Sequence, residues 1–165
     1  MKNLKLIILF IAITSISCAQ KSPRMQANGT IDGVKIDIDY GAPSVRERVI
    51  WGELVPYGKV WRAGANENTT ITFGKDVIIN GNNLPAAKYG FFIIPNENGD
   101  WTVVFNKKND AWGSMKYNQE EDALRVNVSP TFVDKNIEQM NFSVSETSID
   151  FAWEKVRLSI PITNK

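Results

Sequence analysis

Apolar and polar residues alternate along several short stretches of the chain. Every second residue from Val34 to Tyr40 is apolar, and Lys or Asp stands between them. The same period of two recurs in residues 124–128 and 140–144. This spacing is typical of a strand that has one face in the core and the other in water. The pattern therefore predicts antiparallel strands.

Turn residues separate the apolar stretches at short intervals. Asn80-Gly81 is the strongest hairpin signal, because Asn-Gly readily adopts the positive φ angles of a type I′ turn. Turn signals recur about every 8 to 12 residues, and no stretch has a convincing amphipathic helical period. The sequence thus predicts an all-β, single-domain antiparallel β-sandwich, or a barrel-like variant, with about 8–10 strands.

The C-terminal part of the chain contains three apolar runs. They cover residues 140–144, 149–153 and 156–162. They predict a meander of three antiparallel strands, preceded by a turn or edge segment at 130–135. Pro161 is expected near a sheet edge, because proline cannot donate a ladder hydrogen bond.

One long stretch, residues 50–73, has neither a strand period nor a helical one. It reads IWGELVPYGKVWRAGANENTTITF and becomes strand-like only in its last five residues. Loops on a rigid scaffold carry most recognition. This long irregular loop, named here the signature segment, is therefore where the sequence predicts a site.

The N-terminus has the features of a secretory signal peptide. It carries Lys2 and Lys5, then an apolar run that is much shorter than a membrane-spanning helix, then small polar residues. These features predict a signal peptide at 1–17, a lipid-attachment cysteine and tether at 18–28, and a β-sandwich domain at 29–163.

Cys18 is the single cysteine of the chain. With Ser15 and Ser17 before it, the cysteine resembles that of a bacterial lipobox, which is diacylated and becomes the new N-terminus; Ser15 stands where leucine is usual. Lipidation predicts an exported protein anchored to a membrane of the cell envelope, on the periplasmic or outer-membrane face. The alternative is ordinary signal cleavage near Ala19, which discards the cysteine.

Composition excludes several functional classes. The chain has no histidine and one cysteine, which excludes Ser-His-Asp catalysis, Cys-His catalysis and His/Cys zinc sites in their usual forms. Without Lys2 and Lys5, the 19 basic residues become 17 against 18 acidic ones, so no basic excess favours nucleic acid. We therefore expect no nucleic-acid partner, no metal and no cofactor. Catalysis, if present, depends on groups such as carboxylates.

Five stretches of the chain carry a family resemblance. They are SPR at 22–24, IDYGAPSVRER at 38–48, the signature segment, LPAAKYGFFIIP at 84–95 and WTVVFNK at 101–107. They resemble the DUF2911 family, whose domain of unknown function occurs in exported bacterial proteins. The resemblance covers most of the chain from residue 22 to residue 162, and the motif RAGANE fits the family's pattern. It implies an exported protein or lipoprotein and supplies no catalytic residues.

The signature segment contains six candidate ligand-binding residues: Trp51, Tyr57, Trp61, Arg62, Asn66 and Glu67. In one interpretation they form a pocket, in which the guanidinium binds a carboxylate and the indoles stack on a sugar or a peptide. In the other, Arg62 and Glu67 form a buried pair that holds the segment in place without a ligand. Both interpretations hold if the same network forms a pocket wall.

Two further candidates for ligand binding are Asn106, which ends the predicted strand at 101–106, and Trp112, which lies in a second loop after it. They complete a cleft if this loop faces the signature segment; alternatively, Trp112 plugs the end of the core. The acidic run at 120–122 lacks the spacing of a calcium loop and is expected to be solvated.

These features favour an uncharacterised cell-envelope lipoprotein that acts as a non-enzymatic binding or structural module, with a glycan or a peptide as ligand. Under this hypothesis no residue is catalytic. The competing hypothesis is a carboxylate-based envelope hydrolase that uses Glu67 with Arg62, because glycoside hydrolysis needs only two carboxyl groups. A second carboxylate near Glu67 distinguishes the two hypotheses.

Overall fold

The structure, a computed structural model, describes residues 21–165. The predicted signal peptide and Cys18 lie outside the described residues. Ten strands follow one another along the chain: β1 (Arg24–Ile31), β2 (Val34–Gly41), β3 (Thr69–Phe73), β4 (Val77–Ile79), β5 (Asn82–Leu84), β6 (Lys88–Ile94), β7 (Trp101–Asn106), β8 (Asp122–Val128), β9 (Thr131–Val144) and β10 (Ser148–Asn164).

The strands form two sheets in which neighbouring strands are antiparallel. The six-stranded sheet has the order β1-β2-β3-β6-β7-β8, and the four-stranded sheet has the order β5-β4-β10-β9. Buried residues from both sheets form one hydrophobic core. The predicted all-β sandwich is therefore confirmed, and neither sheet closes into a barrel.

Strand β2 shows how the sequence pattern produces this architecture. Its apolar residues Val34, Ile36, Ile38 and Tyr40 are at most 1% exposed, whereas the Lys and Asp residues between them reach solvent. Burying a Val or Ile side chain contributes about 1.5–3 kcal/mol to stability. The pairing register of β2 with its neighbours is therefore fixed, since a slip of one residue would turn every apolar side chain of the strand toward water.

The predicted C-terminal meander of three strands is wrong. The runs at 149–153 and 156–162 belong to one strand, β10, and most of 130–135 lies in β9. The buried positions change from odd to even numbers between the two runs, and register shifts on either side of Glu154 absorb that change. Glu154 has a φ of 51°. A β-bulge inserts one residue without ending the strand. Because the insertion interrupts the alternation of apolar residues, the sequence pattern predicts a turn at this point.

Pro161 lies inside β10 and not at the end of a separate edge strand. Pairing with β9 ends at Arg157, and pairing with β4 starts at Ile162. Proline occupies the interval between these two ladders, where its missing N–H removes no ladder hydrogen bond.

The domain starts earlier than the predicted boundary at residue 29. Strand β1 begins at Arg24 and pairs with β2 along its whole length, from Arg24 opposite Gly41 to Ile31 opposite Val34. The expected tether at 18–28 therefore includes residues of the sheet. Small side chains explain the difference: a Cβ on Gly29 would come within 2.7 Å of Val144, so this strand packs closely with little apolar signal.

Within residues 21–165, no helix has the length and apolar character needed to cross a membrane.

A long irregular connection, residues 42–68, joins β2 to β3 and contains most of the signature segment. It is bonded to both sheets. The amide of Met140 in β9 donates to the carbonyl oxygen of Pro43 at 2.9 Å, while Trp61 and Ile93 of β6 exchange two hydrogen bonds of 2.8 and 2.9 Å. The connection therefore spans the two sheets of the sandwich.

Candidate functional site

Four indole rings pack together where the signature segment meets the core. Trp51 and Trp61 come from the segment, Trp101 from β7 and Trp153 from β10. The ring centroids of Trp51 and Trp101 lie 4.6 Å apart, and those of Trp61 and Trp153 lie 5.6 Å apart and nearly parallel. Trp61 is 9% exposed. These indoles join the two sheets and do not form an open stacking platform.

The RAGANE motif lies directly against β2. The amide of Ala65 donates to the carbonyl oxygen of Gly41 at 3.1 Å, and a Cβ on Gly41 would lie 2.1 Å from the oxygen of Ala65. The hydroxyl of Thr69 donates to the carbonyl oxygen of Ala63 at 2.9 Å. Ala63 and Asn66 have φ angles of 48° and 64°. Close backbone contact thus fixes the path of the motif.

Arg62, the first residue of this motif, has a half-buried side chain. Its Nε is buried and has no hydrogen-bond partner, and no ion pair involves this side chain within residues 21–165. Burial lowers the pKa of the guanidinium from its ordinary value, although arginine stays protonated in proteins. The expected buried Arg62–Glu67 pair is absent, because Glu67 is exposed.

A cleft of about 270 Å³ opens beside Arg62. We name it the arginine cleft. Its lining comprises three arginines, two serines, two indoles and four other residues: Arg46, Arg48, Arg62, Ser22, Ser44, Trp61, Trp153, Pro43, Leu54, Gly64 and Ala65. None of the described residues in this lining is Asp or Glu. The cleft is therefore rich in positively charged donors and suited to an anionic or acceptor-rich ligand.

A tight turn carries Arg46 and Arg48 to the cleft. The amide of Arg48 donates to the carbonyl oxygen of Val45 at 3.1 Å, and its Nε donates to the same oxygen at 3.0 Å. The amide of Arg46 donates to a carboxylate oxygen of Glu138 at 2.9 Å. Arg46 and Glu47 have φ angles of 49° and 56°. Such conformations cost on the order of 1 kcal/mol each and cluster at functional sites.

A second buried donor, on another residue that lines the cleft, also lacks a partner among the described residues. The indole Nε1 of Trp153 has none, although this side chain is 1% exposed. Buried N–H groups are paired in the great majority of native structures. Two buried N–H groups without partners, on Arg62 and Trp153, thus belong to residues that line the same cleft.

Asn66 and Glu67 line a different cleft, together with Lys21, Ser22, Pro23 and Arg24. No Asp or other Glu among the described residues lines it. Arg24 binds the carboxylate of Asp39 and donates to the carbonyl oxygens of Glu67 at 3.3 Å and Asn68 at 2.9 Å. Arg24 therefore anchors this part of the segment, the role that the sequence assigned to an Arg62–Glu67 pair. No second carboxylate of the described residues lines this cleft with Glu67.

The family model described as protein of unknown function DUF2911 matches residues 22–162. The chain belongs to the DUF2911 family. Comparison with curated proteins gave no match, and comparison with solved structures gave none. The predicted family is thereby confirmed, and its description assigns no activity.

In this DUF2911 protein the other candidate residues are dispersed. Trp51 and Tyr57 line a third cleft of about 470 Å³ with Glu154 and Lys155. Asn106 is 1% exposed, and its amide donates to the carbonyl oxygen of Asn118 and to the carboxylate of Asp122. The Asn106 amide is therefore used in these two contacts, which hold the loop before β8 in place.

Trp112 lies beside Glu67, and the two residues form an isolated antiparallel bridge. The second loop does face the signature segment, but Trp112 is not among the residues of the arginine cleft. Its indole is 54% exposed, so it does not plug the core. The Nζ atom of Lys21 lies 5.9 Å from the centroid of this ring.

The acidic run at 120–122, whose last residue begins β8, is not uniformly solvated. The Asp122 side chain is 7% exposed and pairs with Arg125, and it accepts a hydrogen bond of 2.6 Å from the hydroxyl of Tyr117. Burial and this contact raise the pKa of Tyr117 to about 12. No group of three or more His, Cys, Asp or Glu residues in the described part of the chain is placed to hold a metal ion.

Sequence reasoning did not single out Arg24, Arg48 or Trp153. Arg24 lies in the expected tether, and Trp153 has the pattern of an ordinary core residue. The one available signal was the pair of arginines in the motif IDYGAPSVRER, two residues apart. Their proximity to Arg62 depends on the connection folding back, which no local pattern encodes.

Proposed function

We propose that this DUF2911 protein is a non-enzymatic binding module whose ligand enters the arginine cleft. One observation carries the proposal: the buried Nε of Arg62 has no partner within residues 21–165. A buried donor without a partner destabilises a fold by about 1–3 kcal/mol, and more when it is charged. A bound acceptor removes that penalty, so the arrangement is economical for a protein that binds a ligand.

The composition of the cleft supports the same proposal. Arg48 and Arg62 supply positive charge, the indoles of Trp61 and Trp153 supply rigid apolar walls, and Ser44 lies at the same lining. Small-molecule sites typically combine apolar walls with a few polar groups that fix orientation. A glycan or a peptide fragment offers both the acceptors and the apolar surface that such a lining requires.

The hydrolase that uses Glu67 receives less support. Two-carboxylate glycoside hydrolysis needs a second carboxyl group within about 5–9.5 Å of the first. Glu67 lines a cleft with Lys21, Arg24 and Asn66 and without another described Asp or Glu. Its proposed partner Arg62 lines the arginine cleft instead.

The proposal includes export and attachment to the cell envelope through a lipid on Cys18. It is supported by the signal-like residues 1–17 and the small residues that precede the cysteine. The chain from Cys18 to Arg24 spans at most about 20 Å, so a lipid there would hold the sandwich close to the membrane.

A thermal-shift screen against envelope glycans and peptides tests the binding function. A ligand that binds only the native state at a hundred times its Kd adds about 2.7 kcal/mol of stability. We expect at least one compound to raise the Tm of the native sequence and to leave the Tm of Arg62→Met unchanged. Hits that stabilise both proteins equally would place binding elsewhere and contradict the proposal.

A further inference from the structure

We propose that the arginine cleft takes its ligand through a carboxylate group. This inference rests on the proposed function and specifies the ligand class of the same site. Its basis is the guanidinium of Arg62 together with the second partnerless donor, the indole N–H of Trp153. Both residues line the cleft, and no carboxylate of the described chain lines it with them.

The unpaired Nε of Arg62 selects a planar acceptor. A guanidinium presents its Nε–H and one Nη–H as parallel donors in one plane, and a carboxylate accepts both at once. The buried Nε–H has no acceptor in residues 21–165, so no described residue occupies the edge that makes this two-point contact. A neutral hydroxyl or amide can accept from it but cannot balance its charge.

Charge balance favours a ligand group with one negative charge over a group with two. Arg62 is the half-buried cation of the cleft, whereas Arg46 and Arg48 are exposed at its margin. Exposed charges are screened by water and salt, so the desolvated part of the site carries about one positive charge. A carboxylate neutralises it, whereas a phosphate dianion leaves an uncompensated negative charge in a place that disfavours it.

The size and the walls of the cleft limit the size and chemistry of the molecule that carries the carboxylate. A volume of about 270 Å³ lies just below the range of drug-sized sites. It accommodates an acidic end group with a body of one residue or one sugar ring, which the indoles of Trp61 and Trp153 contact. The C-terminal end of a peptide and an acidic sugar share this chemistry.

Matched pairs of small probes test the inference on the folded protein by NMR, through the Nε–H resonance of Arg62. The pairs are N-acetylglycine with N-acetylglycinamide, and glucuronate with glucose; inorganic phosphate is the fifth probe. We expect the resonance to move downfield with at least one of the acids and to stay unchanged with both neutral partners. The pair that responds distinguishes a peptide end from an acidic sugar.

Two substitutions verify that the cleft carries the effect. Arg62→Gln is expected to weaken the binding of the acid by about tenfold or more, since it removes a charge-assisted contact. Lys59→Gln makes the same change of charge at an exposed position of the signature segment outside the cleft lining and is expected to leave the affinity unchanged. Calorimetry measures both affinities, and circular dichroism verifies that both variants fold.

The outcomes separate this inference from the proposed function. Binding of a neutral partner or of phosphate that needs Arg62, in preference to both acids, overturns the carboxylate assignment and leaves a ligand-binding cleft in place. Absence of Arg62-dependent binding by all five probes overturns the carboxylate assignment, while the broader screen decides the proposed function separately.

Discussion

Arg24 and Arg62 are two guanidinium groups with opposite surroundings. Arg24 donates to the carbonyl oxygens of Glu67 and Asn68 and binds the carboxylate of Asp39, whereas Arg62 is half-buried with a partnerless Nε within the described chain. We therefore expect the first group to stabilise the folded protein and the second not to do so. Their removal should therefore have opposite effects.

Substituting each arginine with methionine tests this contrast, since methionine keeps much of the side-chain length. Arg24→Met should lower the free energy of unfolding by about 1–2 kcal/mol, because partly exposed charged contacts are lost. Arg62→Met should leave it unchanged or raise it by about 1 kcal/mol, because an uncompensated charge leaves a half-buried site. Denaturant unfolding measures both values. A large loss of stability in Arg62→Met would show that the side chain has a structural partner after all.

Tyr117 makes the stability of the protein depend on alkaline pH. Burial and the hydrogen bond to Asp122 raise the pKa of this phenol from 10.0 to about 12 in the folded state. In the unfolded state the phenol keeps its ordinary pKa of 10.0. The higher pKa of the folded state therefore contributes stability that is fully present below pH 10 and is lost as the pH rises through about 12.

Tyr117→Phe removes this titration. The native sequence should therefore lose stability more steeply than the variant between about pH 10 and 12. Thermal unfolding at several alkaline pH values measures the difference, and absorbance at the tyrosinate band reports the titration itself. Parallel curves for the two proteins would contradict the assigned pKa.

At the scale of elements, the signature segment is held by backbone contact as well as by side chains. The oxygen of Ala65 would lie 2.1 Å from a Cβ on Gly41 at the end of β2. That distance is far below van der Waals contact, and the atom met is part of the backbone, which cannot rotate away. The absence of a side chain at Gly41 is therefore what lets the RAGANE motif pack on the sheet.

Gly41→Ala should destabilise the fold by about 2 kcal/mol or more, because strand and motif must move apart. Gly74→Ala is the matched control: its Cβ would meet Lys35 at an ordinary 3.4 Å, and its effect should be within about 0.5 kcal/mol. Chemical unfolding gives both numbers. Equal stability of the two variants would mean that the motif shifts without penalty.

At the scale of the whole molecule, the proposed lipid on Cys18 would place the arginine cleft near a membrane. Ser22 lines that cleft and follows the cysteine by four residues, a distance of at most about 15 Å along the chain. The protein would then bind its ligand near the surface of the envelope membrane.

Cys18→Ser tests the anchor in cells. The native chain should fractionate with membranes, and mass spectrometry of the mature protein should find an acylated N-terminal cysteine. The serine variant should leave the membrane fraction, since serine offers no thiol for the thioether-linked lipid. A serine variant that stays with membranes, or a native chain cleaved near Ala19, would refute the anchor.

The sequence by itself determined the fold class, the family and the main boundaries of most strands. Alternation in β2 and the Asn80-Gly81 turn are local signals, and burial of every second residue follows from strand geometry alone. The same signals failed at Glu154, where a bulge changed the parity of buried positions, and in β1, where small residues pack with little apolar signal.

Tertiary structure alone decided which arginine is paired and which is not. Arg24 and Arg62 look alike in the sequence, and the sequence favoured a pairing between Arg62 and the nearby Glu67. The chain instead turns Glu67 to solvent, brings Arg24 across from β1, and places Arg46 and Arg48 on the lining of the same cleft as Arg62. The electrostatic partners of a side chain depend on distances between segments that are far apart in the sequence. The periodicity of apolar residues carries information only about residues that are close together in the sequence. The arginine cleft of this DUF2911 protein is therefore a property of the fold, assembled from residues that the sequence keeps apart.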